Sequence, residues 1–367
     1  MRSNQTRREL LAATAAVMTG ASAVHANDKP GINEIAGGGE QWAARWRNWH
    51  YWRDHVVPAN PAIPGHEAFH NTDGPCVFRI PGESNWFISY LGFNGSGYNT
   101  FIAESDDLVH WHDHRLAFGF GPVNEFDHGG RVLGAYLFTD YGASGQRLLK
   151  RHKGLFWSLY GCYPKQGGYE LRPGYEGVAC SEDGIHWKHA REVPILSVFD
   201  ADCADWEQEC IYQPWLLEHG GKYYNFYNAA HGHEQTGLAT SDDLISWKRY
   251  AGSPIVRNRP GGFDAEFCSD PKVYRDGDHW AMFYFGVGKG GAHIMVAFSQ
   301  DLINWDALPE PLYRAGGHPG GLDATYAHKT SLIFNPKNKT WYLHYCAVGN
   351  RGRGIGLLTS LPIEGSL

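Results

Sequence analysis

One seven-residue pattern constrains this chain more than any other feature. Ser-x-Asp-[Leu/Gly]-[Ile/Val]-x-Trp occurs at Ser105–Trp111, Ser181–Trp187, Ser241–Trp247 and Ser299–Trp305. A fifth copy, Gly356-Leu-Leu-Thr-Ser360, matches Gly237-Leu-Ala-Thr-Ser241 but stops before any Trp. The copies recur at roughly 60 residues with one longer interval, a period that belongs to repeat architectures in which each unit covers its neighbour's apolar face. Asp264 to Trp305 gives the unit in full. Asp276-Gly277-Asp278 is a hairpin signal, His279 to Val287 an aromatic and β-branched strand, and Gly288 to Gly291 a turn. His293 to Ser299 is a third strand, and a short edge strand near Trp305 closes the unit. Four antiparallel strands in about forty residues make one propeller blade. Five such units predict an all-β protein, a five-bladed β-propeller.

The chain divides into three segments. Residues 1–26 read as a twin-arginine signal peptide: Arg7-Arg8 precede a mildly apolar run to Ala23, and Val24-His25-Ala26 offers small residues to a signal peptidase. That predicts a periplasmic or secreted protein. Residues 27–67 are an N-terminal extension, in which Glu40 to His55 carries Trp42, Trp46, Trp49 and Trp52 at helical spacing. The aromatic stripe of this predicted helix is too apolar for water, so it docks on the propeller or pairs with a second subunit in a homodimer. Residues 68–367 are the propeller, with Thr139 to Lys153 and Tyr163 to Tyr175 as Gly-rich insertions expected on one face, where they shape a pocket.

Composition narrows the function. A hydrophobic content of 43% suits a sizeable core, and 46 Gly suit a turn-rich β protein. Net charge of −7 and the lack of a basic run argue against nucleic acid or an anionic membrane surface as partner, and no segment reads as inserted in a membrane. The 7 Cys are scattered without a Cys-x-x-Cys, so mostly buried thiols are expected, with at most one disulfide. No motif requires a cofactor. His128, His231, His233, His293 and His328 lack the spacing of a zinc site, and a structural divalent cation in the central channel is the one metal left open.

In a propeller the inner strand of each blade begins at a common axis, so the candidate chemistry lies there. Gly262-Phe263-Asp264-Ala265 aligns with Gly321-Leu322-Asp323-Ala324, which places Asp270 with Lys329 and Ser269 with His328. Aligning Pro214 with Pro271 places Gln213 with Asp270 and Glu209 with Glu266. Asp73 precedes the Gly-Pro that corresponds to Asp270-Pro271. Register sets Asp73 one residue away from Asp270, and a bulge at Gly74 would restore their agreement. Carboxylates held by stiff backbone at one axis suit glycosidic-bond hydrolysis, where one group activates water and another protonates the leaving oxygen. Asp127 and His128 at the start of blade two, with Gln213, Glu266 and Lys329, are the candidate substrate contacts. Trp206 could stack on a sugar ring, and His231 could line the rim.

These residues resemble a known group. Five Ser-x-Asp-x-x-x-Trp-type units with Asp-Pro inner-strand starts look like the five-bladed β-propeller glycosidases, which include glycoside hydrolase families 32, 43, 117 and 130. The resemblance covers nearly all of the chain after about residue 68. Acids in blades one, four and five with a late histidine look most like family 117. That likeness implies Asp73 as general base, Asp270 as a second carboxylate and His328 as an unusual acid or substrate contact. Families 32 and 43 instead carry their acid as a Glu in blade three, for which Glu209-Cys210 is the candidate. The implied activity is an exo-acting, inverting glycosidase on a plant or algal oligosaccharide. A family-130-like phosphorylase and a non-catalytic sugar-binding propeller are the alternatives.

Overall fold

The computed structural model describes residues 38–367; the expected signal peptide lies outside them. Blade one comprises His70–Phe78, Trp86–Phe93, Tyr98–Ser105 and His112–Phe118, and blade two Gly130–Tyr136, Leu155–Tyr163, Tyr175–Ser181 and Lys188–His189. Blade three comprises Cys210–His219, Lys222–His231, His233–Ser241 and Lys248–Arg249, and blade four Phe267–Asp276, His279–Gly288, Gly291–Ser299 and Asp306–Ala307. Blade five has Tyr326–Asn335, Thr340–Gly349 and Gly352–Thr359. The five inner strands neighbour one another in cyclic order, blade five returning to blade one.

The chain's beginning completes the last blade. His50–Tyr51 pairs with Gly352–Thr359, His50 opposite Thr359 and Tyr51 opposite Leu358. In blade four Asp306 lies opposite Phe298 and Ala307 opposite Ala297, and in blade three Lys248 faces Thr240 and Arg249 faces Ala239. In each case the residue after the Trp faces the residue before the signature Ser. Trp49 is therefore the Trp missing from the truncated fifth copy, supplied from the far end of the sequence.

This pairing corrects the expected helix. Only Gly38–Ala43 is α-helical, followed by a 3-10 turn at Ala44–Trp46. Beyond it the open edge of blade five offers backbone hydrogen bonds that outweigh the helical periodicity of the Trp residues. Trp42 stacks on His279 with ring centroids 3.9 Å apart, Trp46 meets Phe283 edge-on at 5.0 Å, and Trp46 and Trp49 are buried. The stripe expected to serve a second subunit is largely spent on the chain's own blades.

The signature has a local cause. Leu108, Leu244 and Leu302 adopt left-handed backbone, with φ of 71°, 69° and 69°, as does Gly184. The preceding Asp offsets this by accepting two backbone N–H groups; Asp301 takes those of Ile303 at 2.9 Å and Asn304 at 2.8 Å, while Ser299 Oγ takes that of Leu302 at 3.0 Å. A second repeated device sits deeper. Tyr160, Tyr227, Tyr284 and Tyr345 occupy one register of the second strands, and each donates its hydroxyl to a buried acid: Asp127 at 2.8 Å, Glu207, Asp264 at 2.9 Å and Asp323 at 3.0 Å. All seven cysteines are thiols, six of them buried.

The two insertions lie at opposite ends of the axis, against the expectation of one shared face. Residues 139–150 reach the finishing ends of the inner strands. Leu148 bridges to Arg79 of blade one, Gly142 to Arg275 of blade four, Gln146 donates to Phe334 O of blade five, and Lys150 pairs with Glu218 of blade three at 2.6 Å. Arg147 is fully buried there over the Tyr274 ring. The segment caps that end because its backbone and side chains find partners on the surrounding blades. Residues 164–174 lie at the other end, where the inner strands begin.

Candidate active site

Every inner strand slips register at the same level. The breaks fall between Asp73 and Cys76, Leu133 and Ala135, Tyr212 and Trp215, Ser269 and Lys272, and His328 and Thr330. Gly74, Gly134, Gln213, Asp270 and Lys329 stand in these breaks, and all five line a cavity of about 30 Å³ on the axis. Gln213, Asp270 and Lys329 hold φ of 53°, 56° and 51°. A left-handed residue other than glycine costs on the order of 1 kcal/mol, and three at one level are a concentration of strain of the kind found at functional sites. The expected match of Gln213, Asp270 and Lys329 is thus seen. Gly74 is blade one's member of a bulge common to all blades, so it does not bring Asp73 level with Asp270; Asp73 stays level with Ser269 and His328.

Asp73 is buried and fully engaged. Its Oδ1 accepts the Gly74 N–H at 2.7 Å, and its Oδ2 accepts Lys329 Nζ at 2.7 Å and Arg353 Nη1 at 2.9 Å. Burial alone would raise its carboxyl, but Lys329 and Arg353 overcome that and hold it well below the usual range. His328 donates from Nδ1 to Cys346 O at 3.0 Å, and its Nε2 faces Arg353 Nη1 at 3.3 Å. Burial pushes this imidazole well below its ordinary value, with Arg353 and Lys329 adding to the effect against the pull of Asp73. A neutral ring whose Nε2 accepts from a guanidinium is poorly placed to donate a proton, so the geometry weighs against His328 as the acid.

Arg353 has a counterpart of opposite charge. It stands seven residues before Ser360, as Glu234 stands seven before Ser241 and Tyr98 seven before Ser105. From this position a third-strand residue reaches the next blade's inner strand: Arg353 meets Asp73, and Glu234 accepts a short hydrogen bond from Ser269 Oγ. Asn228 supports the second pair, giving its Nδ2 to Ser269 at 2.5 Å and taking the Asp270 N–H on its Oδ1 at 2.6 Å. Lys272 Nζ holds Asp270 Oδ1 at 2.7 Å.

The 164–174 insertion completes the mouth. Tyr169 lies under the Arg353 guanidinium, 5.2 Å from its ring centroid, and Tyr98 OH donates to Tyr169 O at 2.6 Å. Arg172 pairs with the half-buried Glu209. Burial raises the Tyr163 phenol, and Glu170 and Glu234 both add to the rise. Three glutamates, Glu170, Glu209 and Glu234, thus come from separate elements to one side of the axis, opposite the Asp73 cluster.

Residues 148–322 match the family model of the Glycosyl hydrolases family 32 N-terminal domain. A solved structure described as "Glycoside hydrolase" superposes with a TM-score of 0.75 at 27% identity, covering 89% of this chain and 96% of its own. The chain is a five-bladed β-propeller glycoside hydrolase. A second structure, described as a complex of BT0996 and RGII, is 28% identical with a TM-score of 0.74, over 88% of this chain and 96% of its own. A thermostable family-43 glycoside hydrolase, 14% identical with a TM-score of 0.57 over 80% of this chain and 91% of its own, shares the fold. No curated protein sequence matches.

In this propeller glycoside hydrolase several expected contacts turn out to be scaffold. Asp127 is buried, bidentate with Arg131 and bonded to Tyr160 OH, so it braces blade two and does not meet substrate. Trp206 stacks on Tyr227, whose hydroxyl goes to Glu207, itself paired with Arg249 of the outermost strand; this is the periphery of blade three. His231 is exposed and tied to Asp205 O at 2.7 Å, His128 faces Gly121 O at 3.0 Å, and half-buried Glu266 accepts the Glu234 N–H on its own carbonyl. The propeller glycoside hydrolase also has site residues that the repeat pattern alone does not single out: Arg353, Glu234, Glu170, Tyr169 and Lys272. For Arg353 and Glu234 the signal was the fixed spacing before the signature Ser, which marks a position and leaves its chemistry open. A divalent cation on the axis fits poorly, because Lys272 and Lys329 face the channel and Asp73, which with His328 and Cys346 has ligand spacing, is neutralised by two cations.

Proposed function

We infer that the protein is an exported, exo-acting glycoside hydrolase that removes a terminal sugar from a plant or algal oligosaccharide. The observation that carries this reading is the one-ended axis: glutamates converge where the inner strands begin, while residues 139–150 cover the strands' far ends. A blind funnel admits a chain terminus and stops the middle of a chain. Glu234, bonded to Ser269 and set apart from the cations around Asp73, is the carboxylate placed for proton or glycosyl transfer, with Glu170 as its partner from the insertion. Asp73 keeps its charge and orients Lys329 and Arg353.

A relative is named for a complex with RGII, which makes an RGII oligosaccharide the first substrate to try. The experiment is chromatography of its products with and without inorganic phosphate. A single free monosaccharide released without phosphate supports the hydrolase. Grouping of Lys329, Arg353 and His328 favours the phosphorylase as second reading, and a sugar phosphate formed only with phosphate would replace the first by the second. Inversion, which the family-117 resemblance implies, is checked by proton NMR of the anomer released first.

A further inference from the structure

We propose that the axial cavity reads two neighbouring hydroxyl groups of the terminal sugar, with Asp270 Oδ2 and Gln213 Oε1 as the accepting atoms; this rests on the reading of the axis as the sugar-binding site. Both atoms are buried and have no protein partner. A buried acceptor left unsatisfied costs about 1–3 kcal/mol, more for a carboxylate, and here two face one cavity. Each belongs to a residue in strained left-handed backbone, and the strain is what turns the side chains of successive inner strands toward the axis. Asp270 is not loose. Lys272 takes its Oδ1 and leaves Oδ2 pointing onward, while the Asn228 amide clamps the Asp270 N–H.

The size of the cavity selects the occupant. About 30 Å³ excludes a sugar ring and admits two water-sized groups. Two acceptors need two donors, and one hydroxyl carries one proton. A vicinal diol at the end of a glycan supplies one donor to each acceptor. Lys329 and Gly74 line the same cavity next to Asp73, so the diol would enter beside the charge cluster of blades five and one. A site built around hydroxyl hydrogen bonds rejects analogues that lack the hydroxyl, because its acceptors are then stranded.

The test uses the whole protein and titration calorimetry with D-galactose, L-arabinose, L-rhamnose and D-xylose, followed by the monodeoxy analogues of whichever sugar binds most tightly. Removal of either of two adjacent hydroxyls is expected to weaken binding at least 10-fold. In Gln213→Leu one of these two penalties should disappear, and in Asp270→Asn the other should shrink. Penalties that are the same in wild type and both variants, or no adjacent pair with a penalty, would overturn the proposal. Should either variant fail to fold by circular dichroism, a crystal of the wild type with the bound sugar decides: hydroxyls within hydrogen-bond reach of both atoms support it, and hydroxyls elsewhere overturn it. Binding with this hydroxyl dependence but no cleavage of any glycan would sink the hydrolase reading and leave the pocket standing.

Discussion

Arg353 Nη1 meets Asp73 Oδ2 at 2.9 Å, joining residues 280 positions apart across the seam where blade five returns to blade one. The same strand position in blade three presents Glu234 to Ser269. One repeated reach between blades thus builds a cationic wall on one side of the axis and an acidic wall on the other. The two-sided electrostatics of the site follow from the repeat itself, with only the end residue changed.

Arg353→Met should leave Asp73 buried with Lys329 alone. Losing one partner of a buried charge cluster costs about 3–5 kcal/mol, to be read by urea unfolding. The contribution of Asp73 also has a pH sign. Its folded carboxyl lies below its unfolded value, so its stabilisation is present above the ordinary carboxylate range and is lost as pH falls through the depressed folded value. Asp73→Asn should therefore flatten the acid limb of the stability profile, and an unchanged limb would contradict the assignment.

Trp49→Ala should destabilise the propeller as a core Trp would, by about 3–5 kcal/mol in urea unfolding. It is buried at the closing strand of blade five. If the segment before residue 68 were a detachable extension, the cost would stay below about 1 kcal/mol, the usual range for a surface change.

Glu176→Gln should stabilise the protein on the alkaline side. Burial pushes the Glu176 carboxyl up to about 8, with Asn225 its hydrogen-bond partner at 2.5 Å. A carboxyl raised on folding holds its proton in the native state after the unfolded chain has lost it, so stability falls as pH rises from about 4.5 to 8. Each pH unit between the unfolded and folded values is worth about 1.4 kcal/mol, so the variant is expected to exceed wild type by about 2 kcal/mol or more at pH 8 and to match it near pH 4. Equal thermal midpoints at pH 8 would contradict this.

The blades were legible because their signature is local chemistry: Asp301 and its equivalents cap a turn whose left-handed residue follows at once. The closure was not, since Trp49 and Ser360 come together only in three dimensions and the Trp residues around Trp49 also satisfy a helical period. In the site, Pro214 and Pro271 fixed the register that puts Gln213, Asp270 and Lys329 on one ring. Asp127 misled because an acid ahead of an inner strand looks the same whether it meets substrate or the hydroxyl of Tyr160, and the Tyr register of the second strands was the missing discriminator. Glu234 and Arg353 were hidden by their own repeat, which places the side chain and says nothing of its charge.

Turnover of an RGII oligosaccharide by wild type and Glu234→Gln, followed as monosaccharide released per unit time, tests the central claim most directly. The wild type is expected to release one terminal sugar, and the variant, with its fold intact by circular dichroism, to lose at least about 10³-fold in kcat, the scale for a positioned carboxylate. Release by the variant within about 10-fold of wild type, or none by the wild type across a wide plant and algal glycan panel, would contradict the assignment of this funnel as the hydrolytic site.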